Sequence, residues 1–117
     1  MTKFGMTCKP GDIVMIPFPY SDMSAAKRRP VLALTSPDHH GDFICLAITS
    51  VPTPEHAIQI GDASLVQGAL PKTSWVRVDK IFTLESSRIR KVFGSVQPQV
   101  LKQVLDALCA RVGYSAE

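Results

Sequence analysis

For most of the chain the apolar residues fall in short runs broken by prolines, glycines and polar turns, and only near the end do they recur at helical spacing. Ile13-Val14-Met15-Ile16 follows Gly11-Asp12 and meets Pro17-Phe18-Pro19, where two prolines remove ladder donors and predict the end of a strand. Residues 20–29 read as a polar connection, and Val31-Leu32-Ala33-Leu34-Thr35 as a second strand ending at Ser36-Pro37-Asp38. After the turn His39-His40-Gly41-Asp42, Phe43 to Thr49 is almost continuously apolar, which predicts a central strand covered on both faces. His56 to Ile60 is a shorter strand candidate. Ser74 to Asp79 alternates, with Val76 and Val78 on one side and Trp75, Arg77 and Asp79 on the other. A further strand is expected around Lys91–Val96. Gln97 to Val112 is the expected helix: Pro98 suits its first turn, Val100, Leu101, Val104, Leu105, Leu108 and Val112 form an apolar stripe, and Gly113 ends it. Short strands at close intervals with one terminal helix predict a mostly β protein, a small barrel with that helix packed against it.

Composition narrows the class. The 117 residues give room for one domain spanning 1–117, and a 45% hydrophobic, 20% charged balance is that of a folded protein rather than a disordered tail. No apolar run reaches the roughly 18–20 residues of a membrane span, so no membrane role is expected. The first residues, Met1 to Met6, lack the apolar stretch of a secretory signal. Cys8, Cys45 and Cys109 are odd in number and far apart, which fits reduced thiols and a cytoplasmic location better than a disulfide framework or a zinc site. The net charge of +3 is segregated: Lys27-Arg28-Arg29 forms one basic stretch, while residues 72–91 hold Lys72, Arg77, Lys80, Arg88, Arg90 and Lys91 against Asp79 and Glu85. Two basic stretches meeting on one face attract a polyanion; scattered over the surface, they serve solubility alone.

Candidate chemistry is sparse. The chain has no phosphate-binding glycine loop, nucleophile elbow, HExxH or dinucleotide fingerprint. His39-His40 lies in a turn without carboxylates or thiols at metal spacing, so no metal and no cofactor are expected. Cys45 reads as a small buried hydrophobe. Trp75 suits either core filling, the favoured assignment, or a platform for base stacking. Two features stand out. Arg29 precedes Pro30 at the entry to a strand, and an arginine fork held there grips two phosphate oxygens, although a solvated basic loop fits the sequence equally. Arg77 and Asp79 share one strand face, as either a structural ion pair or a functional cation and carboxylate.

Three segments in order carry a resemblance. Gly11-Asp12-Ile13-Val14, Phe18-Pro19-Tyr20 and Lys27-Arg28-Arg29-Pro30-Val31-Leu32-Ala33-Leu34 resemble the opening of the MazF/PemK (Kid) toxins; Ala47-Ile48-Thr49-Ser50 resembles their second catalytic segment; Leu70 to Glu85, with Ser87-Arg88-Ile89, resembles the third. The match runs in register from about residue 10 to 112. It implies an SH3-like barrel of the CcdB/MazF type, a homodimer, a partner antitoxin, and metal-independent cleavage of single-stranded RNA. By the same resemblance Arg29 matches an arginine needed for cleavage and Thr49 its companion hydroxyl residue. Arg77 and Asp79 match the acid and base of the PemK branch. Departures are visible: the 20–28 loop is short and lacks that branch's histidine, Lys80 stands where glutamine is common, and Phe82 where arginine is common.

The implied reaction is attack of the RNA 2′-hydroxyl on the adjacent phosphorus, leaving a 2′,3′-cyclic phosphate and a 5′-hydroxyl. Asp79 is the candidate base, and Arg29, Arg77 and Thr49 would stabilise the developing charge. Arginine is a reluctant proton donor, so Lys80 or water is an equal candidate for the acid. Lys27, Arg28, Ser50, Lys72 and Lys80 would hold the RNA. Two alternatives use the same fold: a CcdB-like toxin that binds a topoisomerase and cleaves nothing, and an inactive family member that keeps only antitoxin binding. Arg29, Thr49 and the Arg77-x-Asp79 pair distinguish the nuclease, because a binding module has no need of them.

Overall fold

The computed structural model describes residues 7–18 and 27–114. Its strands are β1 (Asp12–Phe18), β2 (Lys27–Ala33), β3 (Asp42–Thr49), β4 (Ala57–Ile60), β5 (Leu65–Gly68), β6 (Ser74–Glu85) and β7 (Lys91–Val96), followed by the helix α1 (Pro98–Arg111). They form one curled sheet in the order β4-β6-β3-β2-β1-β7-β5, and every pairing between neighbours is antiparallel. The mostly β class with a C-terminal helix is what the pattern predicts; the sheet curls into a half-barrel where a small barrel is expected.

Both faces of the central strands are buried, as the apolar run of β3 requires. On one face Ile13, Leu32, Leu46, Ile48, Val76 and Val104 share a core, with Val100, Leu101, Ala107 and Leu108 of the helix packed against it. On the other, Val14, Ile16, Val31, Ala33, Phe43 and Cys45 form a second cluster with Cys8 and Ile89. Each large side chain so buried contributes roughly 1.5–3 kcal/mol. Burial pushes the Cys45 thiol up to about 12, with Cys8 adding to it, so Cys45 acts as a small apolar group.

Several boundaries differ from expectation. β1 runs on through Pro17 to Phe18, and the second strand starts at Lys27 and stops at Ala33 rather than Thr35, so the basic triplet belongs to the strand, not to the connection before it. β6 continues past Asp79 to Glu85. β5 carries too short an apolar signal to stand out; it exists because it pairs with β7. Gly68 and Gly94 face each other in that pairing, both at positive φ (89° and 156°). A Cβ on Gly68 would collide with the backbone of Phe93 and Gly94, so only glycine fits this close approach. In α1, Leu105 and Val112 lie at the surface and Ala107 takes an inner position instead. Gly113, at a φ of 82°, ends the helix as predicted, with Gly113 N–H donating to Ala110 O and Tyr114 N–H to Cys109 O.

Candidate active site

The site begins where a ladder stops. β2 pairs with β3 only over Val31–Ala33, while its pairing with β1 continues back to Lys27. Pro30 has no N–H with which to extend the β2–β3 ladder, so from there the two strands part. Residues 28–30 line one side of the resulting opening and Ile48, Thr49, Ser50 and Val51 the other. Beneath lies Met15, opposite Pro30 in register. Phe93 of β7 and the segment Leu70-Pro71-Lys72 complete the enclosure. That segment is pinned from several sides: Leu70 N–H donates to Asp62 Oδ1 (2.9 Å), Ala69 N–H to Phe93 O (3.2 Å), and Ser74 Oγ to Lys72 O (3.0 Å). Leu70 is itself buried in the helix-side core.

The space between these walls is a cavity of about 380 Å³, open to solvent. Its floor is apolar, built from Met15, Pro30, Ile48, Leu70 and Phe93, and its polar lining is Arg28, Arg29, Thr49, Ser50, Lys72 and Ser74. Among the described residues no carboxylate lines it. Thr49 Oγ1 accepts the Val51 N–H at 3.1 Å, which fixes the oxygen and leaves its O–H to donate elsewhere. An apolar floor beside exposed cations and hydroxyls suits an organic anion and repels a metal cation.

A second group forms at a bend in β6. The register with β3 shifts between Leu46, opposite Ile81, and Ile48, opposite Val76, so residues 77–80 bulge from the ladder. β4 holds the bend from its other edge: Ala57 pairs with Arg77, and Val78 N–H donates to His56 O at 2.9 Å. Here Arg77 and Asp79 form a bidentate ion pair, Nε to Oδ1 at 3.2 Å and a terminal nitrogen to Oδ2 at 3.0 Å. Burial tends to raise the Asp79 pKa, but the Arg77 hydrogen bonds and charge, helped by Lys80, outweigh it and hold the carboxyl below 3.8.

The structure therefore divides the predicted site. Arg28, Arg29, Thr49, Ser50 and Lys72 converge on the cavity. Arg77 and Asp79 stand together at the bend with Lys80 exposed beside them, outside the cavity's lining. The Lys27 side chain lies outside the described residues, although its backbone opens β2. Thr49 links the groups: it lines the cavity and sits opposite Trp75, which shares a strand face with Arg77 and Asp79. Trp75 is half-buried on that outer face rather than packed inside, because Val76 and Val78 take the inward positions. The cavity wall also includes Met15, Val51, Ser74 and Phe93, which the linear pattern did not single out as functional; only the parting of β2 and β3 makes them neighbours. His39 and His40 occupy an exposed turn, and among the described residues no group of three or more His, Cys, Asp or Glu is placed to hold a metal.

Comparison with known proteins bears on this geometry. The chain resembles an endoribonuclease solved with its cognate antitoxin from a mycobacterial species (20% identity, 91% of this chain and 95% of that one, TM-score 0.70). It also resembles a MazE–MazF structure from Deinococcus radiodurans (20% identity, 94% and 100% coverage, TM-score 0.73) and the toxin MazF-mt6 of Mycobacterium tuberculosis (19% identity, 89% and 98%, TM-score 0.69). At these identities the likeness establishes the fold. No curated protein sequence matches the chain. The family model for PemK-like, MazF-like toxins matches residues 9–112, nearly the whole length and all of the segments that build the cavity and the bend. The chain belongs to the PemK-like, MazF-like toxins of type II toxin–antitoxin systems.

Proposed function

We propose that this protein is a metal-independent endoribonuclease toxin that cleaves single-stranded RNA in the cytoplasm, acting as one domain over residues 1–117. The observation that carries this reading is the cavity, lined by no carboxylate among the described residues, where Arg28, Arg29 and Lys72 stand with Thr49 and Ser50 over an apolar floor. An RNA phosphate on the rim meets several cations, and an unstacked base has an apolar surface to enter against; single strands supply such bases and reach in-line geometry.

In the proposed reaction the 2′-oxygen forms a bond to phosphorus as the bond to the 5′-oxygen breaks. Asp79 accepts the 2′-hydroxyl proton. Arg77 keeps it ionised and so ready to accept, at a cost in basicity. Arg29 and the Thr49 hydroxyl stabilise the charge gathering on the phosphoryl oxygens, with Arg77 beside Asp79. Lys80 or a water protonates the departing 5′-oxygen. RNA engaged by both groups runs from the cavity past Thr49 and Trp75 to the bend, a path along which Arg28, Ser50, Lys72 and Lys80 offer phosphate-binding groups; Lys27 is proposed as a further phosphate-binding residue. In this reading the toxin works as a homodimer and is held in check by an antitoxin; two of the structures it resembles contain such a partner. An acidic extended segment would suit the same cationic rim.

Purified protein incubated with defined single-stranded RNA in EDTA should cut it and leave 5′-hydroxyl ends. A strict requirement for magnesium, or 5′-phosphate ends, overturns the mechanism. Binding without any cutting favours the non-enzymatic alternatives instead.

A further inference from the structure

The cavity is longer than the Arg29–Thr49 corner needs. Its strand residues come from β6, β3, β2, β1 and β7, five consecutive neighbours in the sheet. At about 4.8 Å between strands, the trough from the end of β3 to β7 spans roughly 14 Å. Thr49 on β3 and Phe93 on β7 stand three strand spacings apart along it. Lys91 stands on the β7 side: it lies two residues before Phe93 on the same strand face and opposite Met15 in register, and both of those residues line the trough. Its Nζ sits 5.0 Å from the centroid of the Phe93 ring, so the ammonium is held over an aromatic wall rather than left to sweep through solvent. Lys91 is exposed and enters no salt bridge among the described residues, unlike Lys102, which is paired with Asp106 at 2.9 Å on the helix.

We propose that Lys91 and Phe93 form a second nucleotide subsite of the trough, in which Lys91 binds a phosphate other than the scissile one and Phe93 offers its ring to the adjoining base. The assignment rests on the RNA-cleaving reading above and extends it by giving the β7 side of the trough its own ligand. Phosphate contacts at two places along such a trough, one at Lys91 and one at Arg29, set which stretch of RNA lies across Thr49. Lys91 is thus a positioning and binding residue, distinct from the groups around the reacting phosphorus.

The test is binding of an RNA whose 2′-hydroxyl at the cut site is replaced by hydrogen, with single phosphates replaced in turn by neutral methylphosphonates. Lys91→Met, which keeps an unbranched stem over Phe93, should weaken binding roughly 3–10-fold and lower the salt slope by about one unit. One methylphosphonate position should weaken the wild type yet leave Lys91→Met unaffected, and that position should differ from the one that masks Arg29→Ala. Lys91→Arg should retain the wild-type pattern, which shows that β7 tolerates substitution there. Lys102→Met should change neither affinity nor slope. Wild-type affinity and slope in Lys91→Met, or a loss spread evenly over all phosphate positions, overturns the subsite. If the wild type cuts RNA while Lys91→Met binds normally, this inference alone fails; if the wild type neither binds nor cuts RNA, the functional reading fails first.

Discussion

The cavity and the β6 bend each contain arginine, yet they present it in opposite electrostatic states. At the bend, Arg77 is matched by Asp79 through two hydrogen bonds, so the pair is nearly neutral seen from a distance. At the cavity, Arg28, Arg29 and Lys72 surround a space that no described carboxylate lines. A neutralised pair attracts a polyanion weakly, whereas a concave cationic rim attracts it strongly. The contrast comes from backbone geometry. Two-residue spacing along β6 puts residues 77 and 79 side by side, whereas the cavity gathers residues from five strands and two connections around the gap that opens at Pro30.

The largest effect expected from breaking this division is at Arg29. If it stabilises charge that appears only in the transition state, Arg29→Ala should cost single-turnover cleavage on the order of 10²–10³-fold at saturating protein, far more than it costs affinity. Equal losses in both would reduce Arg29 to a binding group and erase the distinction between the two arginines' roles.

A smaller loss, roughly 10²-fold, is expected from Asp79→Asn, the low end for removal of a general base, since Arg77 has already weakened that base. Affinity should hold or rise slightly, because a negative charge beside the RNA is gone. With the Asp79 pKa held below 3.8, its titration should not shape the rate profile above about pH 5. An ascending limb near pH 6 that vanishes in Asp79→Asn would overturn that. If both Arg29→Ala and Asp79→Asn cut at the wild-type rate once saturated, the chemistry belongs to Thr49 and Lys80.

The smallest effect concerns stability. Because the folded Asp79 pKa is depressed, the ion pair contributes above the unfolded value near 3.8, and the contribution disappears as pH falls through the lower folded value. Both side chains keep some exposure (32% for Arg77, 22% for Asp79), so solvent screening limits the contribution to about 0.2–1 kcal/mol. Urea midpoints of wild type and Asp79→Asn should differ modestly at pH 7 and converge as pH falls below 3.8, because the carboxyl titrates below that value. A difference that grows on acidification contradicts the pairing.

Much of this was legible along the chain. The two-sided burial of β3, the inward Val76 and Val78, the Arg77–Asp79 adjacency and the Gly113 stop all follow from spacing over a few residues, because strand pleat, helix pitch and a left-handed glycine cap are local properties. The order of the matched segments was likewise a property of the sequence, and the family follows from it. What the sequence by itself could not determine was where ladders stop. The parting of β2 from β3, the bulge at residues 77–80, the pairing of β5 with β7 through Gly68 and Gly94, and the meeting of Lys91 and Phe93 with Met15 each depend on partners distant in the chain. Trp75 shows the same boundary at a single position: its face was set by alternation, but only the curl of the sheet decided that this face is an outer surface beside Thr49 rather than a core. Periodicity tells a side chain which way to point, and tertiary pairing decides what it meets there.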